Sequence, residues 1–576
     1  MKSMARFNLA AALLSCSVCL DASAATRVCS VYAESFSELQ KQIFKGAEIF
    51  EAPVLGALPM MITGAMPGAA QLDNGKPIAL HVLDVGGGKT ELVVEVVPSG
   101  EPQACIKALA GGADAAIPEP ENGIYKLGEG MAVKVAGGRL FFAPMATKPA
   151  AALADGVEKL PGLPALPGVI RLAVAPSALT PFLEEFKKNM PTPPRQGAAD
   201  DEKARGAVYA MMDYYASLLG QIDALYLGLD IQQEGLFIRT RLAPKEGTDM
   251  AAWIASVKPA APADLAFIEK GALFSCAAGQ SVLPEGMKKQ LVDYYMGMVA
   301  AMPMFTPIST NEMAAVLNSS FKTMGAPAAF TCRPPADDGA LRILGKYTFD
   351  DPAAYVAEQV ALQKNPAMQK FSMMSGEPGE RTGKNDLKIV SWNNMFDEKA
   401  LTDMMRGMMP AGMEQEDIDN ALKAHQEMRG HIRRLLGSTY EFAADGKHVV
   451  WGMGAPAMVE EAAERARSAG KASAEAERIE ALLKPSGDPN SLGLISLSEM
   501  FRLGIGLSDA KLAGAAKAVP AGEGIAFTGW PFKGEVLTAL LVPPSEVKAI
   551  TALVQVMQSN SPQRGAPARP PIPDNF

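Results

Sequence analysis

Ala136-Gly137-Gly138-Arg139-Leu140-Phe141-Phe142 is a two-glycine turn running into a strand, and Asp445-Gly446-Lys447-His448-Val449-Val450 repeats that phrasing 308 positions later, counted from Gly138 to Gly446. A tight glycine turn between short apolar runs signals an antiparallel hairpin. Three further anchors extend the likeness. Cys29 matches Cys276 in Leu273-Phe274-Ser275-Cys276 at an offset of 247; Pro102, before the helical run to Leu109, matches Pro352 at 250; Gly235 matches Gly534 at 299. The step from 250 to 308 predicts a chain written twice, with roughly 58 extra residues between Pro352 and Gly446.

Each copy opens with a strand (Val28 to Tyr32; Leu273 to Ala277) and continues with a helix. Strands such as Ile78 to Val85 and Leu92 to Val97 follow, joined by Gly86-Gly87-Gly88, and the copy closes with a strand pair and a helix, Met250 to Val257 or Val547 to Met557. Strands joined by glycine turns, with helices between groups of strands, predict an α+β fold of largely antiparallel sheets with packed helices. The expected modules are 25–257 and 265–558, separated by the Pro/Ala linker 258–264 and followed by a Pro-rich tail, 559–576. A second loop, Pro191-Thr192-Pro193-Pro194 through Glu202, divides the first module.

The extra residues are placed at 393–438. Strands Gly123 to Leu127 and Met131 to Val135 are linked by Gly128-Glu129-Gly130, whereas their counterparts, Leu387 to Trp392 and Thr439 to Phe442, enclose a helical hairpin. Asp397 caps a helix with Leu401, Met404, Met405 and Met408 on one face, which Pro410 ends. A second helix runs from Glu414, Glu416 and Asp417 to His431, Arg433 and Arg434, a charge order that suits the helix dipole. Its stripe is Ile418, Ala421, Leu422, His425, Met428, Ile432 and Leu435. Methionine is flexible and polarizable, so Leu401, Met404, Met405, Met408, Met409, Met413, His425 and Met428 form the candidate partner-binding face. The plainer reading is a lid packed on its parent sheet. Copper(I) held by the thioethers is the least favoured alternative, because no cysteine lies nearby.

At 576 residues, 48% hydrophobic and 20% charged, the chain suffices for at least two cores. Its net charge of −9, with no basic cluster, argues against a nucleic-acid groove. Lys2 and Arg6 before the apolar run Leu9 to Leu14, then Ala22-Ser23-Ala24, predict a signal peptide, 1–24, and a periplasmic or extracellular protein. The alternative is a lipoprotein anchored at Cys16. No later apolar run is long enough to span a membrane. Cys29, Cys105, Cys276 and Cys332 then remain, and their spacing leaves disulfide pairing open.

Catalytic and cofactor motifs fail on context. Gly86-Gly87-Gly88-Lys89-Thr90 lacks the first glycine of a P-loop, and a strand follows it. Gly452-Met453-Gly454-Ala455-Pro456-Ala457 lacks the following strand and acid of a dinucleotide site. Ser319-x-x-Lys322 and Ser508-x-x-Lys511 have no accompanying Lys-Thr-Gly. His81, His425, His431 and His448 never form H-E-x-x-H. The paired Asp213-Tyr214-Tyr215 and Asp293-Tyr294-Tyr295 suit helix packing with wet hydroxyls.

The phrasing of turn, strand and helix around Val169-Ile170-Arg171-Leu172-Ala173-Val174-Ala175-Pro176-Ser177 and Leu494-Ile495-Ser496-Leu497-Ser498-Glu499-Met500 resembles uncharacterised exported bacterial proteins with repeated sheet-and-helix domains. The resemblance implies location and fold, with no activity to carry over. The sequence therefore predicts a non-catalytic extracytoplasmic protein with a binding or structural role, its partner apolar or polypeptide, and no cofactor. The alternative is a hydrolase whose site is assembled from separate loops, marked by a Ser/His/acid group converging in one cleft.

Overall fold

A computed structural model describes residues 26–560 except 53–55, 57–70, 85–89, 111–115, 128–130, 145–152, 154–167, 190–197, 302–308, 337–338, 366–373, 376–377, 394, 397–401, 403–414, 438, 468–469, 484–486 and 509. The fold is α+β, built on one antiparallel sheet of 19 strands. Its N-terminal half holds β1 (Thr26–Ala33), β2 (Ile78–Asp84), β3 (Thr90–Val96), β4 (Ile124–Leu127), β5 (Met131–Ala136), β6 (Arg139–Pro144), β7 (Ile170–Val174), β8 (Ile222–Gln232) and β9 (Gly235–Pro244). The C-terminal half holds β10 (Phe274–Ala278), β11 (Ala328–Arg333), β12 (Arg342–Thr348), β14 (Gly379–Thr382), β15 (Lys388–Asn393), β17 (Thr439–Asp445), β18 (His448–Met453), β19 (Ser491–Ile495), β20 (Ile525–Phe532) and β21 (Glu535–Val542). Two short strands, β13 (Met374–Ser375) and β16 (Met395–Phe396), pair separately.

Hydrogen bonding orders the N-terminal half β4-β5-β6-β3-β2-β1-β7-β8-β9. β9 pairs with β21, and the sheet continues β20-β19-β10-β11-β12-β18-β17-β15-β14. Counted outward from β9–β21, the two halves follow the same order, and β14 is an addition on the C-terminal side. The turns at Gly137-Gly138 and Gly446 adopt φ of +57°, +75° and +60°, the left-handed values that a two-residue hairpin turn needs.

The rungs correct the residue matches. Gln232 pairs with Gly235 and Phe532 with Glu535, which aligns Gly235 with Glu535 rather than Gly534. Followed further out, they align Ser30 with Ser275 and Cys29 with Phe274, so Cys29 and Cys276 share a strand position but not a rung. Sequence pattern locates a strand; the rung is fixed by turn geometry and neighbouring strands.

The largest core lies on one face of the C-terminal half. Helices Ala457–Arg467 and Ala474–Leu483 lay Met458, Val459, Ala462, Ala463 and Ile479 against Leu344, Ala443, Val450, Leu492 and Leu541. The alanines let the helices approach the sheet closely. Each fully buried Val, Leu or Ile contributes about 1.5–3 kcal/mol. The 258–264 stretch is pinned in place: Lys258 N–H donates to Gln280 O at 2.8 Å and Ala260 N–H to Pro489 O at 2.9 Å. A short helix, Pro262–Leu265, follows and turns Asp264 inward onto Lys346 Nζ, 2.8 Å away.

Candidate functional site

β12 ends at Thr348, and β11 is entered through Pro327. In the β11–β12 register these two residues face each other, and Thr348 N–H donates to Pro327 O at 2.9 Å. Proline has no N–H to give back, so the Thr348 carbonyl loses its ladder donor. Pro77 stands at the same point before β2, continuing the β2–β3 register opposite Val97. There the gap is closed from within the chain. Asp73 N–H donates to Val97 O and Ser99 N–H to Gln71 O, both at 2.9 Å, which bridges Leu72 with Pro98. At the end of β12, no described backbone group takes the Thr348 carbonyl or the Asp350 N–H.

An open cavity of about 250 Å³ lies at this point. Its lining is mixed: Leu283, Phe321, Pro327 and Phe349 are the larger apolar residues, beside Ser281, Lys288, Lys322, Thr348 and Asp350. Phe349 is held by stacking on Tyr355, ring centroids 4.3 Å apart. Lys322 is paired with Glu358 at 2.5 Å and Lys288 with Glu285 at 2.5 Å, and Asp350 is the remaining charged residue of the lining. Helix Thr310–Gly325 reaches the cavity through Gly325, whose carbonyl accepts from Ser281 N–H at 2.9 Å. A side chain there would meet Ser281 O at 2.5 Å, so only glycine allows the approach. One large apolar side chain of the lining is exposed, Val282 at 59%, and Met324, next to Gly325 in the chain, is 52% exposed. Behind the cavity, Thr348 Oγ1 lies 3.1 Å from His448 Nδ1. Burial, then the Lys346 charge, hold His448 below the ordinary histidine range, so its ring is neutral at neutral pH.

A Ser–His–acid chain is also present, in the N-terminal half. Ser30 on β1 lies opposite His81 on β2, with Oγ 2.7 Å from Nδ1, and His81 Nε2 is 3.0 Å from Glu95 Oε2 on β3. Arg139 completes the row by pairing with Glu95. Burial alone would raise the Glu95 carboxyl, but the His81 hydrogen bond and the Arg139 charge outweigh it and hold the group below its usual value. Ser30 is 1% exposed and its oxygen is bonded inside the strand ladder, which leaves an acyl substrate no approach. The row satisfies buried polar atoms.

Of the candidate contact face, Leu401, Met404, Met405, Met408, Met409 and Met413 lie outside the described residues, as do the first hairpin helix, the leader and the tail from 561. His425 and Met428 belong to helix Gln415–Leu436, with their side chains outside the description. That helix begins with Glu416 and Asp417 and ends with Arg433 and Arg434, buries Leu422, and accepts Leu341 N–H on Leu435 O at 2.7 Å. The four described cysteines are free thiols. Burial pushes Cys276 up to about 12 and Cys332 up to about 11, which makes both poor nucleophiles. Among the described residues no cluster of His, Cys, Asp and Glu is arranged to hold a metal, and no helix is long and apolar enough to cross a membrane.

The pocket was not legible in the sequence. Its parts come from the ends of four elements, and Pro327 differs from Pro77 only in what pairs beside it. No family model, curated protein or solved structure matches this chain.

Proposed function

We propose that this is a non-catalytic exported binding protein of two related α+β modules, and that the cavity at the end of β12 receives an apolar group of its partner. The observation that carries the reading is an open cavity of mixed lining in which Leu283, Phe321 and Phe349 form an apolar part and the 59% exposed Val282 stands at the surface. A concave site with an apolar part, a few polar groups and an exposed apolar residue beside it suits a contact site with a buried anchor. Export rests on the leader pattern before Ala24. The methionines of 401–413 are a proposed second contact face.

N-acetyl-leucinamide, an isobutyl group between two amides, is a suitable probe. The methyl resonances of Val282, Leu283 and Met324 are expected to shift saturably with it and to stay still in Ala326→Leu, which fills the cavity. Equal shifts at the remote exposed Met557, or none at all, would sink the reading.

A further inference from the structure

We infer that the cavity's ligand is an extended polypeptide segment, which adds a strand at the end of β12 in the place that Gln71–Asp73 takes at the end of β3. This rests on the pocket reading above and names the partner's chemistry. In an antiparallel ladder, residues two apart present their backbone groups to the same side. Val97 and Ser99 do so in the N-terminal half, where Asp73 and Gln71 satisfy them. The corresponding residues, Thr348 and Asp350, line the cavity, and Pro327 removes the donor that would close the ladder.

The register position corresponds as well. Leu72, between the two bonded residues, packs against the cluster of Val96, Cys105 and Ile106. A residue between the two pairing positions on β12 is opposite Phe349, over the cavity walled by Leu283 and Phe321. Strand addition of this kind draws affinity from backbone bonds and specificity from a pocket for alternate side chains. The required segment is therefore extended, with an apolar residue at its centre and a residue other than proline next, because that N–H must reach the Thr348 carbonyl. Lys288 and Lys322 have their own glutamates, and the other charged side chain of the lining is that of Asp350, which disfavours an acidic residue in the segment beside it.

The chain supplies its own probe, the capped heptapeptide Gln-Leu-Asp-Asn-Gly-Lys-Pro of residues 71–77. Fluorescence anisotropy of the labelled peptide with the full chain is expected to show saturable binding. Replacing its leucine by alanine, or N-methylating its aspartate, should each weaken binding tenfold or more, and Ala326→Leu in the protein should abolish it. Should Ala326→Leu fail to fold, Val282→Asp at the mouth serves instead, with a tenfold loss expected. Undiminished binding of the N-methylated peptide overturns strand addition. So does failure of the peptide to bind while N-acetyl-leucinamide binds, and in that case the pocket reading survives. If neither binds, both fall.

Discussion

Thr348 faces Pro327 across the β11–β12 ladder, giving its N–H at 2.9 Å and receiving none in return. The β3 end solves the same problem with Asp73, which donates to Val97 O. Pro327→Ala supplies the missing N–H and should weaken binding of the 71–77 peptide severalfold while leaving N-acetyl-leucinamide binding unchanged. The change in stability should be small, since a net hydrogen bond contributes about 0.5–1.5 kcal/mol and proline's restriction of the unfolded chain is lost. Equal peptide affinity in the variant would mean that the Thr348 carbonyl plays no part.

Lys346 and Asp264 are paired at 2.8 Å with side chains 1% and 3% exposed. Asp264 also accepts from Ala261 N–H at 3.1 Å. Lys346→Met strands a buried carboxylate and should cost about 3–5 kcal/mol. The double variant Lys346→Met/Asp264→Asn should regain most of that loss. Urea unfolding of the three proteins checks this, and a single variant as stable as the parent would show that the pair does not hold the linker down.

Among the described residues, three part-buried carboxylates are held below their ordinary range. Glu95 is lowered by His81 and Arg139 against burial. Glu269 is lowered against burial by Arg333 and Arg465, and Glu461 chiefly by its hydrogen bond to Arg333. A depressed folded value contributes stability above the unfolded value, near 4.5, which is lost as pH falls through the folded one. The urea midpoint should therefore change little from pH 7 to 5 on their account and fall below about pH 4.5. Glu95→Gln should make that fall shallower; an identical profile would remove Glu95 from the acid response.

Helices Ala198–Gly220 and Glu285–Ala301 meet where Tyr214 stacks on Tyr294, ring centroids 5.0 Å apart. A side chain at Gly297 would bring its Cβ to 2.3 Å from that of Ala210. Gly297→Val should push the helices apart and cost about 1–3 kcal/mol through overpacking. An unchanged melting temperature would mean that this contact carries no load.

These helices show what a sequence discloses and what it hides. The twin Asp-Tyr-Tyr runs are visible as helical packing residues, but not that Tyr214 and Tyr294, 80 positions apart, stack on each other. The glycine turns are legible because their backbone values exclude most other residues. The rung matching Ser30 with Ser275 is not, since period-two alternation is the same at every second residue. Burial and turn signals are local; the two ends differ because the residues before Pro77 pair with the end of β3, whereas those before Pro327 end a helix, Thr310–Gly325.

Replacing 394–438 by Gly-Glu-Gly, the link used between β4 and β5, should leave a folded protein, because β15 and β17 pair directly. Loss of buried Leu422 and of the Leu341–Leu435 bond should lower the melting temperature by only about 2 °C, as expected for about 2 kcal/mol in a chain this size. Global unfolding would instead make the hairpin part of the core.

Amide hydrogen exchange at Ser99 and Asp350 in one sample is the most direct measurement of the open strand end. The account predicts slow exchange at Ser99, whose N–H is bonded to Gln71 O, and exchange near the unprotected rate at Asp350 in the free protein. Asp350 should slow when the 71–77 peptide is added at saturating concentration, with Ser99 unchanged. Equal protection at both sites without the peptide would contradict the account, because the end of β12 would then already be closed.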